Sequence, residues 1–202
     1  LQVVLLNDRT GDEYKQIIQS ILEDIKVLNR TTFDLIEFAR LNYENKIQLN
    51  ELRIDDVLWF CSDHFWKTNP EYRIQLHLEQ LPADEKKLIV KGSEGFLKIA
   101  FMNLIDNACK FSPDKTCIVN LQISNQVTTV SFTNRGVGIS PEEMAFIFEP
   151  FYRTDSTAQT KGHGIGLALT KKIMQLHQAG LEVKSDKNAS TTFTVRFHHD
   201  NK

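Results

Sequence analysis

The chain is short of several things that define whole classes of protein. Three of its 202 residues are cysteine, at positions 61, 109 and 117, an odd number with no Cys-x-x-Cys spacing. That excludes a disulfide framework and gives no zinc motif, so the thiols read as buried and reduced. No apolar run approaches the roughly 20 residues of a membrane span. The stretch LQVVLLNDRT has neither the basic start nor the cleavage site of a signal peptide. There is no basic excess either: 24 Lys and Arg against 26 Asp and Glu leave a formal charge of −2. Nucleic acid is therefore not expected as a partner. Proline is scarce, with five in all, and from Asp12 to about Asn45 there is neither proline nor glycine.

What that unbroken stretch contains is a seam. Ile18, Ile21, Ile25, Leu28, Thr32, Leu35 and Ala39 recur at alternating steps of three and four, and Tyr14 extends the line backwards. This is the heptad rhythm of a packed helix. Ile17, Leu22 and Ile36 widen the stripe towards a helical bundle rather than a two-stranded zipper. Thr10-Gly-Asp ahead of it is a turn and cap signal, and Leu1 to Leu6 would end a preceding helix.

From Glu51 the pattern becomes mixed. IDDVLWFCSDHF starts a helix, with Asp55 and Asp56 in its first turn. RIQLHLEQ and LIVKG read as strands. Ser93 to Phe111 is a helix, with Ser93 as N-cap and Pro113 stopping continuation. CIVNLQISN and VTTVSFTN form a hairpin. Glu142 to Phe148 is a short helix capped by Ser140-Pro141. A polar stretch, Arg153 to Lys161, leads into KGHGIGLALT, a helix, and strands at LEVKS and TTFTVRF. The fold class expected is α+β, a two-layer sandwich of one mixed sheet against three helices. Residues 1–48 form a separate helical region and residues 49–202 the main domain.

The chemistry gathers in four places. Gly162, Gly164 and Gly166 precede a helix, where free N–H groups and the dipole make a phosphate seat. Asn103, Asn107 and Lys110 share one helical face. Amide oxygens suit a hard cation that also keeps water and phosphate ligands, and lysine suits phosphate as a point charge. Gly136 and Gly138 follow a strand and permit a sharp turn that admits a flat ligand. IFEPFYR packs Phe148, Phe151 and Tyr152 beside the long polar stretch, as a movable lid would.

With these motifs in order, residues from about 90 to 197 resemble the catalytic ATP-binding domain of sensor histidine kinases. The wider family includes the DNA gyrase B subunit and the heat-shock chaperone ATPases. NLIDNACKFS is similar to its asparagine box, NRGVGI to its first glycine box, FEPFYR to its phenylalanine box and KGHGIGLAL to its second glycine box. DLIEFARLN resembles the close of the family's dimerisation and phosphotransfer hairpin. The resemblance implies a magnesium ion on Asn107 bridging ATP phosphates, with Asn103 beside it, and Lys110 at phosphate. Gly162, His163, Gly164, Ile165, Gly166 and Leu167 would wrap the triphosphate. Gly136, Gly138, Ile139, Tyr152, Asn134 and Thr191 would line the adenine end, and Arg153 would steady the γ-phosphate during transfer. The implied partners are a response-regulator receiver domain and, in the full-length protein, a second copy. The implied location is the cytoplasmic side of a membrane-anchored bacterial receptor, reached through upstream segments.

Two departures stand out. Asn134 occupies the place of the family's adenine-binding aspartate, so the adenine bond loses charge assistance, a loss on the order of 1 kcal/mol. The phosphoacceptor setting, a histidine followed by an acidic residue and an arginine, surrounds none of the six histidines and is expected upstream of Leu1. Two alternatives stay open. A hydrolytic ATPase of the same superfamily carries a glutamate where Asn103 stands, and asparagine cannot act as a base. A dimerising module with a decayed nucleotide pocket is the non-enzymatic alternative.

Overall fold

A computed structural model describes residues 10–43, 46–78, 82, 84–124, 126–153, 162–186 and 189–199. The expected tail of a helix at Leu1 to Leu6 and the polar stretch Thr154 to Lys161 lie outside them. The first element, α1 (Gly11–Tyr43), runs 33 residues without a break. At 1.5 Å per residue that is about 50 Å of helix. Thr10 and Glu13 close its start reciprocally: the Glu13 N–H donates to Thr10 Oγ1, and the Thr10 N–H donates to the Glu13 carboxylate at 2.8 Å.

The remaining elements follow as β1 (Asn50–Arg53), α2 (Ile54–Thr68), β2 (Arg73–His77), β3 (Ile89–Gly92), α3 (Glu94–Lys110), β4 (Thr116–Ile123), β5 (Val127–Arg135), α4 (Pro141–Met144), α5 (Gly166–Leu176), β6 (Gly180–Asp186) and β7 (Ser190–His198). Five strands form one mixed sheet in the order β2-β4-β5-β7-β6. β2 and β4 are parallel and the other neighbours antiparallel. The α+β two-layer sandwich preceded by a helix is thus as expected, with one correction. Two sheets are present among the described residues, because Asn50–Arg53 pairs with Ile89–Gly92 apart from the main sheet. NELR carries no apolar alternation, so nothing local announces that strand.

Alternation in β5 and β7 sets the layers. Val130 and Phe132 on one strand and Phe193, Val195 and Phe197 on the other are buried under the helices, while Thr129, Ser131, Thr192 and Thr194 turn to the other face. The register pairs Phe132 with Phe193 and Asn134 with Thr191. The Phe101 ring from α3 lies 5.3 Å from the Phe132 ring at the centre of this core.

Local expectations differ from the structure at two ends. Ser93 takes the N-cap position of α3, but its side chain makes no cap bond. Its backbone N–H instead donates to His177 Nε2 at 2.9 Å, tying the start of α3 to the end of α5. The expected helix at Glu142–Phe148 is a single turn, Pro141–Met144, held by a full Ser140–Glu143 capping box and then followed by turns. The heptad seam of α1 is largely uncovered: Ile18, Ile25, Leu28 and Leu35 are exposed, as are Leu22 and Ile36 beside it. The helix rests on the sandwich through another face, with Leu41 buried and Phe38 packed on the core.

Candidate functional site

Helix α3 lays down the floor of the site. Leu97, Phe101, Leu104, Ile105 and Ala108 form its core stripe. Asn103, Asp106, Asn107 and Lys110, at i, i+3, i+4 and i+7, form a second, polar stripe. That stripe lines a cavity of about 810 Å³, a size that holds a nucleotide-sized ligand.

The end of the cavity expected to take phosphate is built from glycine backbone. Ile165 caps α5 with no side-chain bond, so the first amides of the helix are left uncapped by any side chain. Gly164 has φ +71°, and a Cβ there would meet the Tyr152 carbonyl oxygen at 2.7 Å. The Phe151 N–H donates to the Gly164 carbonyl at 2.9 Å. The aromatic segment and the glycine segment are therefore locked together, and a side chain at 164 would prise them apart. Asn103 joins the floor to this wall. Its Nδ2 donates to the Gly166 carbonyl at 3.3 Å, and Thr170 Oγ1 donates to the same oxygen at 2.8 Å.

The opposite end grows out of strand register. The alternation that buries Val130 and Phe132 carries Asn134 inward, and Thr191 stands opposite it. Asn134 Nδ2 donates to the Phe111 carbonyl at 3.3 Å. That fixes the amide and leaves Oδ1 as the acceptor. Thr191 Oγ1 bonds Ser185 Oγ at 2.7 Å, and Ser185 Oγ accepts the Ile139 N–H at 2.8 Å. Gly136 sits directly behind, where a Cβ would collide with the Phe111 carbonyl oxygen at 2.1 Å.

All but one of the residues given a binding or catalytic role from sequence line this one cavity. They comprise Asn103, Asn107 and Lys110 from α3, and Asn134 and Thr191 from the sheet. Gly138, Ile139, Tyr152 and Arg153 come from the connecting segment, and Gly162, His163, Gly164, Ile165, Gly166 and Leu167 from the glycine segment. Gly136 is the exception: it spaces the wall from behind and does not line it.

Several functional residues were not legible in sequence. Asp106 collects three donors. Its Oδ2 lies 2.7 Å from Lys110 Nζ and 3.3 Å from Arg30 Nη1, and its Oδ1 accepts from the Tyr72 hydroxyl at 2.9 Å. Burial, and then the adjacent Asp106 carboxylate, hold the Tyr72 phenol well above its usual range. Arg30 Nη2 also donates to Asn103 Oδ1 at 3.2 Å, and Thr31 Oγ1 bonds His163 Nδ1 at 2.6 Å. One turn of α1 thus touches both the floor and the glycine wall. Asp106 could have been found from its place in the polar stripe. Arg30 and Ser185 lie far away in the chain and carry no local signal.

Among the described residues no three His, Cys, Asp or Glu side chains gather as a metal site. A divalent ion here would be held by an amide oxygen together with ligand phosphates and water, which is how magnesium accompanies nucleotides. Asn107, half-buried on the cavity floor, offers such an oxygen. Asn103, expected beside it, has its oxygen engaged by Arg30.

Comparison with known proteins gives a consistent picture. HssS of Staphylococcus saprophyticus, described as a heme sensor protein, is 32% identical over 94% of this chain and 40% of its own length. ArlS of Staphylococcus aureus, described as a signal transduction histidine-protein kinase, is 33% identical over 64% of this chain and 31% of its own. The chain therefore spans well under half of these relatives. In fold it is similar to the Acinetobacter baumannii histidine kinase AdeS, with a TM-score of 0.72 over 97% of this chain and 88% of that one at 17% identity. A family profile described as "Histidine kinase-, DNA gyrase B-, and HSP90-like ATPase" matches residues 92–201. The match covers more than half of the chain, including all four motifs around the cavity, and the protein belongs to the histidine kinase-, DNA gyrase B- and HSP90-like ATPase family.

Proposed function

We propose that this chain is the ATP-binding catalytic portion of a two-component sensor histidine kinase. It transfers the γ-phosphoryl group of ATP to a histidine upstream of Leu1, from which a response-regulator aspartate receives it. The observation that carries this reading is the convergence of the polar stripe of α3, the uncapped start of α5 and the Asn134–Thr191 pair on one cavity. In this reading the adenine amine donates to Asn134 Oδ1. The α5 amides and Lys110 take the phosphates, Arg153 steadies the terminal one, and Asn107 holds magnesium. Magnesium supplies neutralisation of phosphate charge when bound. The side chains supply position and fixed dipoles, which is what phosphoryl transfer chiefly requires.

Residues 1–48 are assigned to the closing part of a dimerisation and phosphotransfer hairpin and 49–202 to the catalytic domain. The exposed seam of α1 supports that division, since a helix with such a face pairs with other helices. Dimerisation and membrane attachment belong to the full-length receptor. A hydrolytic ATPase is disfavoured because Asn103 is no base and its amide is engaged on both sides, by Arg30 and by Gly166.

The test is to lengthen the chain upstream by about thirty residues, the span of a second hairpin helix, and to incubate it with γ-labelled ATP. Alkali-stable, acid-labile label is expected, and it should vanish in Asn107→Asp and Lys110→Ala variants that keep their fold. Acid-stable label, or label untouched by both substitutions, overturns the proposal. Calorimetry of this chain with ATP and Mg²⁺ separates a decayed pocket, which would give no heat at millimolar nucleotide.

A further inference from the structure

We propose that Arg30, on the long helix α1 and outside every motif of the family domain, is a nucleotide-binding residue that engages the terminal phosphate. Through it the chain distinguishes a nucleoside triphosphate from a diphosphate. The inference rests on the ATP-site reading above and adds a residue from a different element to it.

Position comes first. Asn134 and the Phe111 carbonyl mark the base end of the cavity, and Asn103, bonded to the Gly166 carbonyl, marks the other. Phe111 and Asn103 are eight residues apart along α3, about 12 Å at the helical rise. With the base against Asn134, the phosphates run towards Asn103 and the start of α5. Arg30 stands at the far end, with Nη2 3.2 Å from Asn103 Oδ1 and Nη1 3.3 Å from Asp106 Oδ2. A diphosphate seated at the same base end stops short of it.

Charge comes second. Arg30 and Lys110 share one oxygen of one carboxylate, Asp106 Oδ2, so Arg30 can turn to an incoming phosphate while Lys110 keeps that oxygen paired. The other oxygen, Oδ1, is taken by the neutral Tyr72 hydroxyl. Asp34, one turn after Arg30, also lines the cavity, and burial pushes its carboxyl up from the ordinary value. Guanidinium offers a planar fork that phosphate oxygens can accept in pairs. The Arg30 side chain remains 44% exposed, so its head can turn from Asp106 to an incoming ligand without unpacking a core. Thr31, the next residue, is bonded to His163 of the glycine segment at 2.6 Å and pins this turn of α1 over the site.

The test is calorimetry of the chain with Mg-ATP and with Mg-ADP, for wild type, Arg30→Ala, Arg30→Lys and the distant control Lys15→Ala. Arg30→Ala is expected to lose about tenfold or more in ATP affinity, the weight of a charge-assisted bond, while ADP affinity moves by less than about twofold. Arg30→Lys should fall between, and Lys15→Ala should change neither. If Arg30→Ala leaves ATP binding intact, or weakens ATP and ADP equally, the assignment to the terminal phosphate is wrong although the site itself stands. If wild type binds neither nucleotide, the site reading fails and this inference with it.

Discussion

Helices α1 and α3 both present a polar stripe to the same cavity, yet they use their apolar residues in opposite ways. In α3 the other face is the core of the domain, and Phe101, Leu104 and Ile105 are 0% exposed. In α1 the other face meets solvent, with Ile18 at 55% and Leu28 at 63% exposure. Periodicity alone makes both stretches helical. What separates them is whether the chain itself supplies the surface that an apolar stripe requires. For α3 the sandwich supplies it. Helix α1 leaves its seam open and is attached to the sandwich by Leu41, by Phe38 and by the polar contacts of Arg30 and Thr31.

The comparison can be broken most forcefully by truncation. Phe101→Ala removes a ring packed 5.3 Å from Phe132 and should cost about 3–5 kcal/mol of unfolding free energy. Leu28→Ala, on the open face, should change it by no more than about 0.5 kcal/mol. Denaturant unfolding of both variants measures the contrast. Comparable losses would mean that the seam is covered in solution.

A smaller effect is expected where backbone rather than core is at stake. Gly164→Ala forces a side chain into φ +71° against the Tyr152 carbonyl, at about 1–2 kcal/mol for the left-handed conformation plus the displacement of the wall. Nucleotide affinity should fall with stability, since the wall is the phosphate seat in the proposed reading. Gly95→Ala is its counterpart. Gly95 lies in the first turn of α3 with nothing within 4 Å of an added Cβ, so a gain of about 0.5–1 kcal/mol is expected. Thermal midpoints moving in the same direction for both would contradict the structure.

His177 gives the sandwich a pH dependence of its own. Its Nδ1–H donates to the Ile173 carbonyl at 2.7 Å and its Nε2 accepts from Ser93, so the ring must be neutral. Burial lowers its pKa below the ordinary value. A group held below its unfolded pKa contributes fully above that value, about pH 6.5. The contribution is lost as the pH falls through the folded value. Stability of wild type should therefore decline on acidification in a limb that His177→Gln flattens. Comparing the two variants separates this limb from the more acidic one set by Asp114, held low by Ser112, and Glu182, held low by Arg196.

Most of the sandwich was legible because its signals are local. Alternation marked β4, β5 and β7, and the stripe of α3 was visible in spacing alone. The glycine segments were legible because tight turns and close approaches admit few other residues. Strand β1 was not, because four residues with a single apolar one, Leu52, acquire strand geometry only by pairing with β3. Ser93 illustrates a different failure. Its type and position fit a cap, but a histidine 84 residues away takes its backbone N–H and no sequence window spans that distance. The same holds for Arg30, 73 residues from Asn103. The chemistry of the site was readable from one domain, and the helix that closes over it was not.

The smallest effect bears on how the two helices are joined. Tyr72 donates to Asp106 Oδ1 at 2.9 Å, while Arg30 and Lys110 crowd Oδ2. Asp106 is buried, so Tyr72→Phe leaves one carboxylate oxygen without its donor. A loss of about 1 kcal/mol in stability is expected. If α1 is held to the sandwich partly through Asp106, the loosened carboxylate should also raise amide exchange around Arg30 and Thr31. Exchange near Tyr14 and Ile18, at the far end of the same helix, should stay unchanged. Uniform acceleration along all of α1 would show instead that the helix moves as one rod, with its attachment residing in Leu41 and Phe38 rather than at the cavity.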